Sequence, residues 1–340
     1  MLNPKSRPMA WLQLFRIANL PSAVANILMG FLLVHQTWSP TVELILLIVA
    51  SSCMYLAGMV LNDVFDFEVD LEQRPNRPLP SQRISKPAAT TVGFAMLIGG
   101  VVIACLAGVS ATGGFDLDPT GPMVRTGLIA VGLAVCVVLY DGPMKRTIAA
   151  PFIMGLCRTL NILLGASTFA PAVLKANEGF LFGLPTVVWW AAISIGVLIS
   201  GATLLGRKEA VENQNRTPLF IAVGIIVASL VGIATIIYCP DNPTGSFQVS
   251  PQQKKIFPLV IGLLSLSILR RVVEAAFTAK PQKIQMGVVA VLRSLIILDA
   301  MFCFLATPSQ PLYSLVVLAL LVPSFLMGRY FRSTSSTLDA

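Results

Sequence analysis

The chain has 340 residues, 55% of them hydrophobic and only 12% charged, with a mean hydropathy of +0.79 and a formal net charge of +8. A soluble domain carries about twice that share of charge, so a water-facing globular surface is excluded. The basic excess sits in loops that alternate along the chain, as membrane-orienting charge does, and this argues against a nucleic-acid partner.

The apolar residues come in runs of about 20, enough to cross a ~30 Å hydrocarbon core as helices. They lack the two-residue alternation of barrel strands, so helices are expected to satisfy the backbone. Ten segments follow in chain order: 17–36, 41–62, 88–110, 123–140, 148–173, 185–206, 218–238, 256–273, 285–306 and 312–328. The first starts late, after Lys5 and Arg7, and is too long for a cleavable signal. Placing the N-terminus in the cytosol puts eighteen of the 24 Lys and Arg on the cytosolic side and four opposite (Arg125, Lys175, Lys254, Lys255). Arg158 and Arg293 fall within spans. The expected location is therefore a cell (inner or plasma) membrane, multi-pass, with one membrane domain over 1–332 and a short disordered tail, 333–340. The six cysteines form no metal-type pair or disulfide framework and read as packing residues. The lone His35 is given no role.

The second segment ends in Leu61-Asn62-Asp63-Val64-Phe65-Asp66-Phe67-Glu68-Val69-Asp70. On one continuous helix Asp63, Asp66 and Asp70 fall within an arc of about 60°. Three carboxylates on one stripe repel each other unless a divalent cation neutralises them. Hard oxygen ligands with an incomplete shell suit Mg²⁺, which prefers a few carboxylates plus substrate phosphates. Asn62, Asp63, Asp66 and Asp70 are the candidate metal ligands. A Pro-rich stretch follows, Arg74-Pro75-Asn76-Arg77-Pro78-Leu79-Pro80-Ser81-Gln82-Arg83-Ile84-Ser85. Its arginines offer forked donors to phosphate oxygens, which makes Arg74 and Arg77 substrate-binding candidates.

Asn62-Asp63-x-x-Asp66-x-x-x-Asp70 followed by Arg74-Pro75-x-Arg77-Pro78-Leu79-Pro80-Ser81-x-Arg83-Ile84-Ser85 resembles the UbiA superfamily of intramembrane prenyltransferases, and within it most resembles the UbiA-like EboC group. The resemblance spans roughly residues 10–240. It implies an all-α horseshoe bundle of nine to ten transmembrane helices around a central cavity open to lipid. It also implies Mg²⁺-dependent transfer of a prenyl group from a prenyl diphosphate to an acceptor, unidentified and possibly aromatic. Arg16-x-x-Asn19-Leu20-Pro21-Ser22, with Asn26 and Gly30, resembles the family's first helix, and Asn19 and Asn26 are read as cavity-lining. For Asn26 a helix–helix hydrogen bond is an equal alternative. Tyr140-Asp141-Gly142-Pro143-Met144-Lys145 resembles the family's turn after the fourth span, with Lys145 reaching a diphosphate oxygen and Tyr140 donating a hydrogen bond. Arg158 and Asn161, three residues apart in the fifth span, share a face and are expected to line the diphosphate cavity. Catalysis is thus assigned to Asp63, Asp66, Asp70, Lys145 and Arg158.

The family's second acidic motif is altered. After the sixth span the chain reads Gly206-Arg207-Lys208-Glu209-Ala210-Val211-Glu212, with Arg207 and Val211 where metal-binding aspartates usually stand. Glu209 and Glu212 remain as substrate-site candidates. Two readings follow. Arg207 and Lys208 replace part of a metal's electrostatic role, or catalysis is lost and the chain binds or helps export a lipid or aromatic metabolite. Arg270-Arg271 with Glu274 suggests an i, i+4 pair, and Arg293 and Asp299, on different faces, are expected to partner other helices. The sequence singles out no general base.

Overall fold

A computed structural model describes residues 6–170, 180–207, 216–238 and 249–327. Each of the ten apolar segments holds a helix within its described residues. In chain order the helices are α1 (Arg7–Leu14), α2 (Leu20–His35), α3 (Thr41–Phe65), α4 (Phe67–Gln73), α5 (Lys86–Thr112), α6 (Pro122–Asp141), α7 (Ala150–Ala166), α8 (Thr186–Gly206), α9 (Thr217–Ala234), α10 (Pro251–Thr278), α11 (Pro281–Ala306) and α12 (Pro311–Ala319). Among the described residues eight helical spans are long and apolar enough to cross a membrane. Two apolar helices are shorter, Ala150–Ala166 and Pro311–Met327. Proline at the first turn starts most of them, where its missing N–H costs nothing. A two-residue hairpin, Phe180–Leu181 against Leu184–Pro185, precedes α8.

Neighbours in sequence pack side by side, from α3 through α5, α6, α7, α8, α9 and α10 to α11, and α11 returns to α2. The run therefore curls round on itself, with α2, α7, α8 and α11 innermost. Many outward faces of these helices are apolar and exposed, as with Ile98, Val102 and Leu106 on α5, which is the surface hydrocarbon requires. At two crossings the backbones nearly touch. A Cβ on Gly165 would lie 2.4 Å from the Ile27 carbonyl oxygen, and one on Gly30 2.1 Å from that of Ile162, so only glycine lets α7 approach α2.

The end of the bundle that carries the hairpin is held differently. Arg125, expected as an orienting loop charge, lies inside α6 at 1% exposure. Its guanidinium donates to the carbonyls of Ser167, Thr120, Gly183 and Phe169. It thus ties the hairpin segment to α6 and α7. The expected Glu274 pair is also corrected: Glu274 meets Lys283 at 2.7 Å. The left-handed turn at Ala279 (φ 52°) folds the start of α11 back beside the end of α10, placing Lys283 there. The tail 333–340 lies outside the described residues.

Gly165→Ala should destabilise the detergent-solubilised protein by about 1–3 kcal/mol through overpacking. Gly99→Ala, where a Cβ meets nothing within 4 Å, should not destabilise it; thermal unfolding of both variants checks the pair.

Candidate active site

The acidic motif does not lie on one straight helix. α3 stops at Phe65 and α4 starts at Phe67, with Asp66 as the joint (φ −83°, ψ 1°). The backbone bonds still run Asp66 N–H to the Asn62 carbonyl at 3.0 Å and Asp70 N–H to the Asp66 carbonyl at 2.9 Å, and the three carboxylates divide between two cations. Asp63 and Asp70, both nearly fully buried, share Arg77, whose Nη1 lies 3.5 Å from Asp63 Oδ1 and 2.6 Å from Asp70 Oδ2. Arg16 Nη2 also reaches Asp63 Oδ1 at 2.6 Å. Arg74, largely exposed, stands 3.7 Å from Asp70. Asp66 is paired separately: Lys145 Nζ donates to its Oδ2 and, at 2.7 Å, to Asn62 Oδ1, while Asn62 Nδ2 donates to Asp63 Oδ1 at 3.3 Å.

Local packing fixes this arrangement. Ala10 and Leu14 of α1, Leu79 and Ile84 of the Pro-rich turn, and Val60 and Val64 of α3 form a small separate core. Ser81 Oγ donates to the Arg77 carbonyl at 2.6 Å, and Arg83 bonds Ser81 Oγ, the Asn76 carbonyl and Gln13 Oε1. The turn is thereby braced against α1 and holds Arg77 over the acids. Arg16 adopts a left-handed backbone conformation (φ 45°, ψ 46°) between α1 and the next turn, which directs its side chain to Asp63. Of the two aromatic residues at the joint, Phe67 packs into the small core under the Lys86 ammonium, 4.5 Å from the ring centre. Phe65 is largely exposed.

Beside this network lies a cavity of about 1750 Å³. Asn19, Tyr140, Arg158, Asn161 and Arg207 line it as the sequence predicts, together with Tyr55 and Asp141, which sequence reasoning did not assign. Val288, Leu292 and Ile296 of α11 and Leu321 and Phe325 beyond it make its apolar wall. Arg293 also lines it, with its guanidinium 5.9 Å from the Phe325 ring centre. The motif residues Asn62, Asp63, Asp66, Asp70, Arg74, Arg77 and Lys145 are not among the lining side chains. Their network instead stands against its polar end, where Asp66 and Lys145 act electrostatically on Asp141. Arg207 donates to the carbonyls of Thr147 at 2.6 Å and Arg146 at 3.1 Å, closing α8 onto the turn that carries Lys145. Lys208, Glu209 and Glu212 lie outside the described residues.

Of the two readings of Asn26, the helix–helix hydrogen bond holds and the cavity wall does not. Asn26 is fully buried, and its Nδ2 donates to both Asp299 oxygens at 3.0 and 2.9 Å. Its Oδ1 accepts from Arg158 Nη1 at 2.8 Å, while Arg158 Nη2 donates to Ser22 Oγ at 3.0 Å. Asp299, fully buried on α11, thus holds the amide in the one orientation that offers oxygen to Arg158. The expectation that Asp299 partners another helix is met. Asn161 is held likewise, accepting from Ser51 Oγ at 2.6 Å and donating to the Ala23 carbonyl at 3.0 Å. A sequence signal for these links existed: polar groups inside spans must find partners.

In donor chemistry the set Asn62, Asp63, Asp66 and Asp70 fits a hard divalent cation. Lys145 and Arg77 each stand as a cation shared between two of its oxygens. Among the described residues no three acidic, His or Cys side chains converge on a single metal position, so the set is compensated here by protein cations.

A curled bundle of membrane-length helices around a large cavity, polar at one end, with an acid–base network beside that end, defines an integral membrane protein. The chain belongs to the UbiA prenyltransferase family, whose pattern matches residues 23–273. It is 33% identical over 183 residues to a digeranylgeranylglyceryl phosphate synthase of Sulfolobus acidocaldarius, covering 52% of this chain and 57% of that protein. A protein of the same name from Sulfurisphaera tokodaii is 32% identical over 102 residues, 30% of this chain and 37% of that one. The matches thus span about half or less of these relatives' length. Among solved structures, a UbiA homolog from Archaeoglobus fulgidus bound to GPP and Mg²⁺ superposes with a TM-score of 0.59 at 14% identity, over 91% of this chain and 99% of that one. A digeranylgeranylglyceryl phosphate synthase structure gives 0.58 at 18% identity, over 94% and 98%. The fold is the UbiA-type bundle.

Asp299→Leu should cost about 1–3 kcal/mol by stranding the buried Asn26 amide. Asn26→Leu combined with Asp299→Leu should recover part of that loss, because both polar partners then go together; chemical denaturation of the three variants reads the coupling.

Proposed function

We propose that the chain is a Mg²⁺-dependent intramembrane prenyltransferase, moving a prenyl group from a prenyl diphosphate to an acceptor, with its N-terminus and the acidic network at the cytosolic face of the cell membrane. The observation that carries this reading is the pairing of that network with a long cavity whose polar end presents Arg158. The cavity exceeds the roughly 300–1,000 Å³ of a single-ligand site, so a prenyl chain and an acceptor fit together. Family membership and the Mg²⁺- and GPP-bound homolog support the donor and the metal. The relatives are named for a digeranylgeranylglyceryl phosphate product, which makes an alkylglyceryl phosphate the first acceptor to test.

In this reading Asn62, Asp63, Asp66 and Asp70 would hold Mg²⁺, which when bound supplies positive charge to the diphosphate. Arg158, fixed by Asn26 and Ser22, presents a preorganised cation to the diphosphate oxygens, and such fixed charge stabilises a leaving anion without reorganisation. Lys145, Arg77 and Arg74 exchange carboxylate contacts for diphosphate contacts, and Asn19, Tyr140 and Asn161 add hydrogen bonds around the head. Arg207 with Lys208, Glu209 and Glu212 would complete the head-group end. The α11 wall takes the prenyl chain and excludes water from the carbocation-like carbon. A second reading, a non-catalytic member that binds or helps export a lipid or aromatic metabolite, draws on the altered second motif, where Arg207 is spent on backbone carbonyls.

Purified protein should release diphosphate from geranyl diphosphate in the presence of the acceptor and Mg²⁺. Asp66→Ala with Asp70→Ala, or chelation of the metal, should lower the rate by about 100-fold or more, and Arg158→Ala by about 100-fold. Release that survives the double substitution would remove the assigned site. Donor binding without any release would select the second reading.

A further inference from the structure

We propose that Asp141 is the catalytic base of the transfer, taking the proton of a hydroxyl on the acceptor. The inference rests on the prenyltransferase reading of the cavity and adds the one group that reading lacks. Asp141 ends α6 and is 5% exposed, yet it lines the cavity beside Tyr140, Arg158 and Arg207. Every other acid of this region is engaged: Asp63 and Asp70 by Arg77, Asp66 by Lys145, Asp299 by Asn26. The Asp141 carboxyl accepts no hydrogen bond and makes no ion pair among the described residues. Its oxygens are not among the enclosed polar atoms that lack a partner; they open to the cavity, where a ligand can bring them a donor.

The surroundings suit that role. Gly58 of α3 also lines the cavity, and a Cβ there would stand 3.8 Å from Asp141 Oδ2, so glycine keeps the approach to the carboxyl open. Gly142 breaks α6 directly afterwards (φ −99°, ψ −109°), fixing Asp141 at the helix end, four residues before Lys145. The carboxyl therefore sits where the cavity meets the acid–cation network.

The step balances simply. The acceptor oxygen forms a bond to C1 of the prenyl group, and the bond from C1 to the diphosphate oxygen breaks, the electron pair leaving with diphosphate. As the acceptor oxygen gains its third bond its proton becomes strongly acidic and passes to the Asp141 carboxylate. A weak base is enough at that point, and a base placed within hydrogen-bond reach gives about 10²–10⁴-fold.

The test uses the full-length protein in detergent with geranyl diphosphate and Mg²⁺, and as probe acceptor an alkylglyceryl phosphate with one free secondary hydroxyl, beside its methoxy analogue. Asp141→Asn should bind geranyl diphosphate with wild-type affinity and transfer to the free hydroxyl at least about 100-fold more slowly. Asp141→Glu should restore part of the rate, and the methoxy analogue should accept nothing. Wild-type transfer by Asp141→Asn, or a loss of donor binding equal to its loss of transfer, overturns the inference. So does a wild-type protein that binds the donor yet transfers nothing to the hydroxyl probe. A wild-type protein that does not bind geranyl diphosphate overturns the reading of the site itself, and this inference with it.

Discussion

Two carboxylates, Asp63 and Asp70, are buried at the charged end of the bundle, and the rest of that end is arranged to keep positive charge on them. An unpaired buried charge is among the most expensive features a fold can hold. Arg77 bridges the pair and Arg16 adds a second contact to Asp63. Both arginines depend on parts of the chain distant from α3, namely the end of α1 and the braced Pro-rich turn. The small core of Leu14, Val64, Leu79 and Ile84 thus serves electrostatics as much as packing, because it sets the two guanidinium groups over the acids.

The same network is poised for exchange. Lys145 and Arg77 each satisfy two oxygen donors, and both are partly exposed. A cation that entered with a diphosphate would replace their contacts with the acids, and the released side chains would find phosphate oxygens instead. Arg158 differs, since Asn26 and Ser22 hold it in place. It is a fixed reference charge in a site whose other cations can move.

The cavity wall unites the family-matched part of the chain with helices beyond it. The family pattern ends at residue 273, yet α11 supplies both the apolar wall at Val288, Leu292 and Ile296 and the Asp299 carboxyl that orients Asn26. The C-terminal helices therefore complete the site. The close α2–α7 crossing at Gly30 and Gly165 brings Asn26 near enough to Arg158 for the chain of hydrogen bonds to reach from α11 to the cavity.

Sequence alone determined that this is a helical membrane protein, where its apolar helices lie, and where its acidic and basic motif residues stand. Those properties are local: hydropathy over a span, charge at loop ends, and a motif read within one stretch of chain. It also singled out the cavity residues Asn19, Tyr140, Arg158 and Asn161, since a polar side chain inside a span has few places to go. Tertiary structure alone decided the pairings. Arg77 joins Asp63 to Asp70 while Lys145 takes Asp66, Glu274 turns to Lys283, Asn26 joins Asp299 across the bundle, and among the described residues Asp141 faces the cavity with no hydrogen-bond or ion-pair partner. Each depends on the distance between groups far apart in the chain, and such distances are set by how closely helices cross, which no single stretch of sequence encodes.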